Sequence, residues 1–303
     1  MDSSFILEKE YFDLRAICNS GQVFRMYERR DGVFDIFSAD RHLRVIEQAE
    51  ANSYEFICSK EEFEEYWRGY FDLDRDYGII VSGAIAGGDE FVSDACRKYS
   101  GIRILHQNIW EMMISFIISQ QKQIPSIRKC IEGLCERFGE QKHGIVSWYA
   151  FPTPEAIAAG GPDGLKGLSL GYRERYIYET ALQYISRGIP DEELESMSYA
   201  DAKKYLLSFT GIGEKVANCI LLFGAGFVDA FPIDTHIKDI LWREYYCREC
   251  AENLPDRAEE GLAKESANKL TQADYERLAD KYFDRYSPNR GIMQQWIFAA
   301  EIE

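Results

Sequence analysis

An α+β fold is predicted, an N-terminal antiparallel β-sheet lobe over residues 1–100 followed by an all-α body over residues 101–303. Three features carry that expectation. Residues 32–48, GVFDIFSADRHLRVIEQ, alternate apolar and polar side chains across a turn at Ser38–Arg41, as a half-exposed antiparallel hairpin would. From Ile102 onward apolar residues recur at helical spacing. Within that second part, LLSFTGIGEKVANCILLFG, residues 206–224, reads as one helix end, a turn with two glycines and the start of a second helix.

After the β-hairpin, KEEFEEYWRGYF switches to helical period at residues 60–71. Helices are then expected in NIWEMMISFIISQQ from Asn108, SIRKCIEGLCERFG from Ser126, RERYIYETALQYISRG from Arg173 and SYADAKKYLLSF from Ser198. EKVANCILLFG from Glu214, THIKDILWREYY from Thr235, YERLADKYF from Tyr275 and MQQWIFAAEI from Met293 complete the series. A polar, weakly periodic stretch at 249–274 reads as a solvated connection. Neither an internal repeat nor a low-complexity tract interrupts the pattern.

A chain of 303 residues with 46% apolar content can fill the cores of two or three packed lobes. The opening MDSSFILEKE lacks the basic head and apolar stretch of a secretory leader, and no run approaches the roughly 20 apolar residues that span a bilayer. A soluble cytoplasmic chain, or a nuclear one in a eukaryote, is expected. Of eight cysteines only Cys247 and Cys250 form a close pair, CREC, with no second pair at zinc-ligand spacing, so reduced thiols and no metal are expected. The net charge of −16 disfavours a polyanionic partner at first sight, but its distribution matters more. Residues 1–100 carry 12 basic and 21 acidic side chains, whereas 101–150 carry six and four, so a nucleic-acid footprint would lie in the middle of the chain and rest on a few phosphate contacts.

In FTGIGEKVAN, Gly211 and Gly213 bracket one apolar residue, which allows a tight turn and close approach of another molecule. The helix that follows offers free N–H groups to a phosphate. A plain turn between two packed helices is the competing reading. Lys215 bears on the choice: a lysine at a helix N-terminus meets an unfavourable dipole, and partial burial also disfavours its charge, so both effects favour an uncharged amine able to form a Schiff base at carbon. Further on, FPIDTHI places Pro232 and Asp234 just before a helix, with Asp234 as N-cap or as a carboxylate facing a cationic transition state.

Taken together, SGQVFRM (20–26), FIISQQKQI (116–124), LKGLSLGYRERY (165–176), TGIGEKVANCI (210–220), FPIDTHI (231–237) and GIMQQWIFAAEI (291–302) resemble, in order, segments of the 8-oxoguanine DNA glycosylase family within the helix-hairpin-helix glycosylases. The resemblance spans nearly the whole chain. It implies a β lobe packed on a helical body, a damaged base flipped out of duplex DNA, no metal or organic cofactor, and a monomer. Lys215 would attack C1′, expel the base and hold the sugar as a Schiff base open to β-elimination, while Asp234 stabilises the positive charge developing on the sugar. Gly21 matches the glycine whose carbonyl accepts from N7–H, Cys219 and Phe298 the residues that sandwich the base, and Gln294 the amide that reads its Watson–Crick edge. Tyr172 resembles the wedge tyrosine, with Arg173 and Arg175 beside it, and His236 a histidine near the phosphate or lesion.

Each of these has a plain alternative: Cys219 and Phe298 as core, Gly21 as a turn glycine, Gln294 and the Tyr172–Arg175 stretch as solvated surface, His236 as a structural hydrogen-bonder. Two positions depart from the family. Gln121 stands where its members carry a key asparagine, and Ser126 where they carry an arginine, so a weaker preference for cytosine opposite the lesion is expected. The endonuclease III branch carries a four-cysteine cluster that CREC does not supply, and the alkyladenine branch lacks the hairpin lysine. A non-catalytic helix-hairpin-helix module would need the glycines but neither Lys215 nor Asp234.

Overall fold

The structure, a computed structural model, describes residues 3–253 and 270–302. Packing divides the chain into two compact units, each made of two segments: residues 1–75 with 101–227, and residues 76–100 with 228–303.

The first unit contains a five-stranded antiparallel sheet of order β1-β5-β4-β3-β2, formed by Phe5–Glu8 (β1), Met26–Arg30 (β2), Val33–Ser38 (β3), Arg41–Glu47 (β4) and Ser53–Ile57 (β5). The expected hairpin is β3 and β4, in register from Val33 opposite Ile46 to Ser38 opposite Arg41. Its turn puts Ala39 at φ 50°. One face carries Phe34, Ile36, Leu43, Val45 and Phe56, all fully buried against Leu14, Ile17 and Trp67. Burying each such side chain is worth about 1.5–3 kcal/mol.

The hairpin differs from expectation in that β3 is buried on both faces. Asp35, read from the alternation as solvent-facing, is fully buried because two arginines and a histidine close over it. Arg44, directly opposite in the register, donates to both carboxylate oxygens (2.8 and 2.9 Å), with Arg29 at 2.8 Å and His42 at 3.0 Å. Burial alone would raise this carboxyl; the hydrogen bonds from His42, Arg44 and Arg29 outweigh it and hold the pKa well below the carboxylate range.

Around the sheet lie the short helix Leu14–Asn19 (α1) and the helices Ile109–Ser119 (α2), Ile124–Phe138 (α3), Arg173–Arg187 (α4), Tyr199–Leu207 (α5) and Glu214–Phe223 (α6). α2 is buried along its length from Ile109 to Ile118, including Glu111, whose Oε2 accepts the Ala39 amide (2.7 Å). Loops are tied by Arg103, 1% exposed, whose guanidinium donates to the carbonyls of Tyr11, Phe71, Asp72 and Arg75.

The second unit is helical. Residues 76–100, grouped with the β lobe in the sequence-order division, form Tyr77–Ala86 and Glu90–Tyr99, capped by Asp76 and Asp89, each accepting at 3.1 Å. Glu90–Tyr99 packs on the last helix, Arg290–Ile302 (α8). Thr235–Ile240 (α7) continues through one π turn into Cys247–Asn253. Of the connection expected at 249–274, residues 254–269 lie outside the described residues; the stretch to Asn253 is helical, and Thr271 caps Gln272–Phe283 in a capping box. Among the described residues no helix is long and apolar enough to cross a membrane.

Candidate active site

The helix-hairpin-helix lies in the first unit. Ser198 caps α5 through the Asp201 amide (3.2 Å), and the turn that follows is held from α4. Thr180 Oγ1 donates to the Thr210 carbonyl (2.6 Å), while Gln183 accepts the Thr210 amide (2.9 Å) and donates to its hydroxyl (3.2 Å). The two glycines prove to have different jobs. Gly211 has φ +81°, and a Cβ there would sit 2.8–2.9 Å from Tyr176, so backbone conformation and internal crowding both demand glycine. Gly213 is exposed, nothing lies within 4 Å of a Cβ placed on it, and it caps α6 without a side-chain hydrogen bond. The first-turn amides of α6 are therefore open to an anion.

Lys215 is half-buried in that first turn, its Nζ 5.1 Å from the centre of the Phe116 ring. Its neighbour Glu214 turns away to Lys203 (2.6 Å). Cys219, one turn later on the same face, is 2% exposed. Phe116 also packs edge-on against Phe24 (5.5 Å) and stacks on Phe223 (5.7 Å).

Gly21 follows α1 at φ 77°. The buried Gln22 fixes this bend by donating to Ser20 Oγ (3.0 Å) and the Arg103 carbonyl (3.0 Å) and accepting the Leu105 amide (2.8 Å). Gln107 ties it to α6, its amide nitrogen donating to the Gln22 carbonyl (2.9 Å) and its backbone N–H to the Phe223 carbonyl (2.9 Å). Gly21, Lys215 and Cys219 thus belong to one hydrogen-bonded and aromatic frame. Gln22, Gln107 and Phe116, which build it, were not singled out from the sequence; their signal is only a polar residue inside an apolar stretch, or one more aromatic on a buried helix.

Gln121 is exposed at φ 51° in the loop between α2 and α3, and Ser126 is exposed at the start of α3. Tyr172 is 49% exposed, with the Arg173 guanidinium 4.4 Å from its ring centre and Tyr176 edge-on at 5.6 Å. Arg173, expected at the surface beside it, is buried at 6% exposure and donates to the carbonyls of Gln120 and Leu170. Arg175 stays exposed beside Glu179 (3.5 Å).

In the second unit Asp234 is the N-cap of α7, its Oδ1 accepting the Ile237 amide (2.9 Å). His236, exposed in the first turn, meets Phe298 of α8 edge-on, ring centres 5.6 Å apart at 89°. Gln294 precedes Phe298 by one turn on the same face. It is 3% exposed, and its amide oxygen has no hydrogen-bond partner among the described residues. Such a group costs about 1–3 kcal/mol unless something supplies a donor. Among the described residues no group of three or more His, Cys, Asp or Glu side chains is placed to hold a metal ion.

The fold as a whole is shared with known proteins. Residues 4–113 match the 8-oxoguanine DNA glycosylase N-terminal domain, and residues 114–280 match the HhH-GPD superfamily of base excision DNA repair proteins. The N-glycosylase/DNA lyase of Saccharomyces cerevisiae is 30% identical over 246 residues, covering 77% of this chain; the chain spans 65% of that relative's length. The 8-oxoguanine glycosylase/lyase of Clostridium acetobutylicum, solved with double-stranded DNA carrying cytosine opposite 8-oxoG, superposes with a TM-score of 0.81 at 27% identity, over 99% of this chain and 98% of that one. MBOgg1, solved with a low-affinity DNA ligand, gives 0.82 at 29% identity, over 98% and 97%.

Proposed function

Because the chain belongs to the 8-oxoguanine DNA glycosylase family, we propose that it is a bifunctional DNA glycosylase and AP lyase that removes 8-oxoguanine flipped out of duplex DNA. The observation that carries this reading is the position of Lys215: a half-buried lysine in the first turn of a helix buried from Val216 onward, beside amides that no side chain caps.

In this mechanism the Nζ of Lys215 attacks C1′, and the glycosidic bond breaks with its electron pair leaving on the base, which takes up a proton. The ring-opened sugar remains as a protonated Schiff base, and loss of a C2′ proton expels the 3′ phosphate. The transition state is oxocarbenium-like, so the carboxylate of Asp234 stabilises the positive charge on the sugar. The first-turn amides of α6, with Gly213, seat a backbone phosphate. The Gly21 carbonyl accepts the N7–H that the oxidised base has and guanine lacks. Cys219 and Phe298 stack on the base, and the unpartnered amide oxygen of Gln294 accepts from its Watson–Crick edge. Tyr172 and Gln121 enter the duplex, and His236 faces the phosphate or the lesion. The chain acts as a monomer and needs no cofactor.

The test is to incubate the protein with a duplex carrying one 8-oxoguanine opposite cytosine, add borohydride, and look for a covalent adduct, with Lys215→Gln alongside. An adduct in the wild type alone is expected. No adduct in either would return a non-catalytic DNA-binding module, or another lesion, to the front.

A further inference from the structure

A closed ring of contacts in the first unit joins the three pieces that the proposed function assigns to different tasks. The Gln120 side-chain amide donates to the Gly211 carbonyl (2.9 Å), in the hairpin turn that precedes Lys215. The Gln120 main-chain carbonyl in turn accepts from the buried Arg173. Arg173 lies 4.4 Å from the Tyr172 ring centre, Tyr172 meets Tyr176 edge-on, and Tyr176 is the ring against which Gly211 is packed with no room for a Cβ. Lys122, on the other side of Gln121, donates to the Ser169 carbonyl (2.8 Å) and fastens the same loop to the approach to α4. Gln121 is thus an exposed residue in the left-handed region with both neighbours tied down, one of them to the catalytic hairpin. A non-glycine residue in that region is strained and persists only where its surroundings enforce it.

We infer that Gln120 and Arg173 are positioning residues that couple occupation of the duplex by Gln121 and Tyr172 to the placement of Lys215. A loop displaced by a poorly accommodated opposite nucleotide moves the Gln120 main chain, and with it the side chain that holds the Gly211 carbonyl. The hairpin then no longer presents Lys215 at C1′. Selectivity for the opposite base would in this way be read at the nucleophile as well as in binding. The inference rests on the proposed function, and its test does not depend on which base is excised.

The experiment measures single-turnover Schiff-base formation by borohydride trapping on a duplex with a preformed abasic aldehyde. One substrate carries cytosine opposite the aldehyde, and the other has a one-nucleotide gap there, so that no opposite nucleotide bears on the Gln121 loop. Gln120→Met keeps the length of the side chain and removes the donor. The wild type should trap about tenfold faster on the intact duplex than on the gapped one, within the coupling range of residues in contact. The variant should lose that advantage on the intact duplex and stay within about twofold of wild type on the gapped one, with duplex affinity and melting temperature little changed; Arg173→Lys should also lose part of the advantage. Equal losses on both substrates would mean that Gln120 only supports the fold, and no loss would mean no coupling; either overturns the inference. No trapping by the wild type on any substrate would sink the lyase reading itself, and the coupling with it.

Discussion

The Nζ of Lys215 lies 5.1 Å from the centre of the Phe116 ring, which also packs on Phe24 and Phe223. A long flexible amine in a buried helix needs such a wall to keep one direction. Phe116→Leu retains apolar bulk and removes the flat wall that directs the side chain, so the trapping rate should fall by about three- to thirtyfold, within the coupling range of residues in contact. Stability should fall by only about 1–2 kcal/mol. Measuring both in the same preparation decides the matter: a lower melting temperature with an unchanged trapping rate would make Phe116 core and nothing more.

Substitution can separate the capping role of Asp234 from the catalytic role proposed for it. Its Oδ1 caps α7 through the Ile237 amide, and asparagine caps as well as aspartate does. Asp234→Asn should therefore leave thermal stability unchanged while base excision falls by about 10²-fold or more, because only the charge at the transition state is lost. Asp234→Ala should show the same catalytic loss plus about 1 kcal/mol of stability from the missing cap. An excision rate within threefold of wild type for Asp234→Asn would reduce the residue to its structural role.

The hairpin glycines give opposite expectations. Gly211→Ala places a methyl at φ +81° against Tyr176 and should lower stability by about 1–3 kcal/mol. Gly213→Ala meets nothing within 4 Å and should fold normally, yet its methyl stands at the open end of α6. Duplex affinity should drop for Gly213→Ala at low salt, where phosphate contacts weigh most. Unchanged affinity would place the DNA backbone elsewhere.

Buried Glu111 makes stability depend on pH. Burial pushes its carboxyl up to about 7, against 4.5 when unfolded, and the nearby Arg25 and the Ala39 amide only partly offset this. The folded state therefore holds a proton that the unfolded state releases. That contribution is fully present below about pH 4.5 and is lost as pH rises through about 7. Melting temperatures of wild type and Glu111→Gln, measured from pH 5 to 8, should diverge in favour of the variant as pH rises. Parallel curves would show that Glu111 does not titrate in this range.

Much of this was legible because the signals are local. The β3–β4 hairpin, the Asp234 cap and the helix-hairpin-helix each announce themselves through periodicity, a capping residue or paired glycines within a dozen positions. What the sequence hid depends on partners far along the chain. Asp35 reads as a solvent-facing strand residue until Arg29, His42 and Arg44 converge on it. Gln22 and Gln107, 85 residues apart, hold the Gly21 bend without any motif. Arg173 looks like a surface charge in GYRER, and only the fold turns it onto the Gln120 carbonyl. Tyr77–Ala86 is hidden because Ile79, 71% exposed, and Ile85 blur its apolar period, whereas Glu90–Tyr99 was legible from the Asp89 cap and from Val92, Ala95 and Cys96 on one buried face.

Opposite-base selectivity is where this chain should part from relatives with asparagine and arginine at these positions. Gln121 is exposed and held by its neighbours, so it can fill the space a flipped base leaves whatever the opposite nucleotide is. Ser126 lies in the first turn of α3 after Pro125 with its short side chain exposed, and a hydroxyl makes one hydrogen bond to either groove edge where a guanidinium makes two. A good bidentate contact discriminates by about 1–3 kcal/mol, or about 5- to 150-fold, and that share should be missing. Excision rates opposite C, A, G and T should therefore span less than about a hundredfold, and Ser126→Arg should widen the gap in favour of cytosine by about tenfold. A cytosine preference of several hundredfold in the unaltered protein would mean that other residues read the opposite base. The Gln120–Arg173 coupling would then be the first place to look, because it can turn a small difference in loop position into a large difference at Lys215.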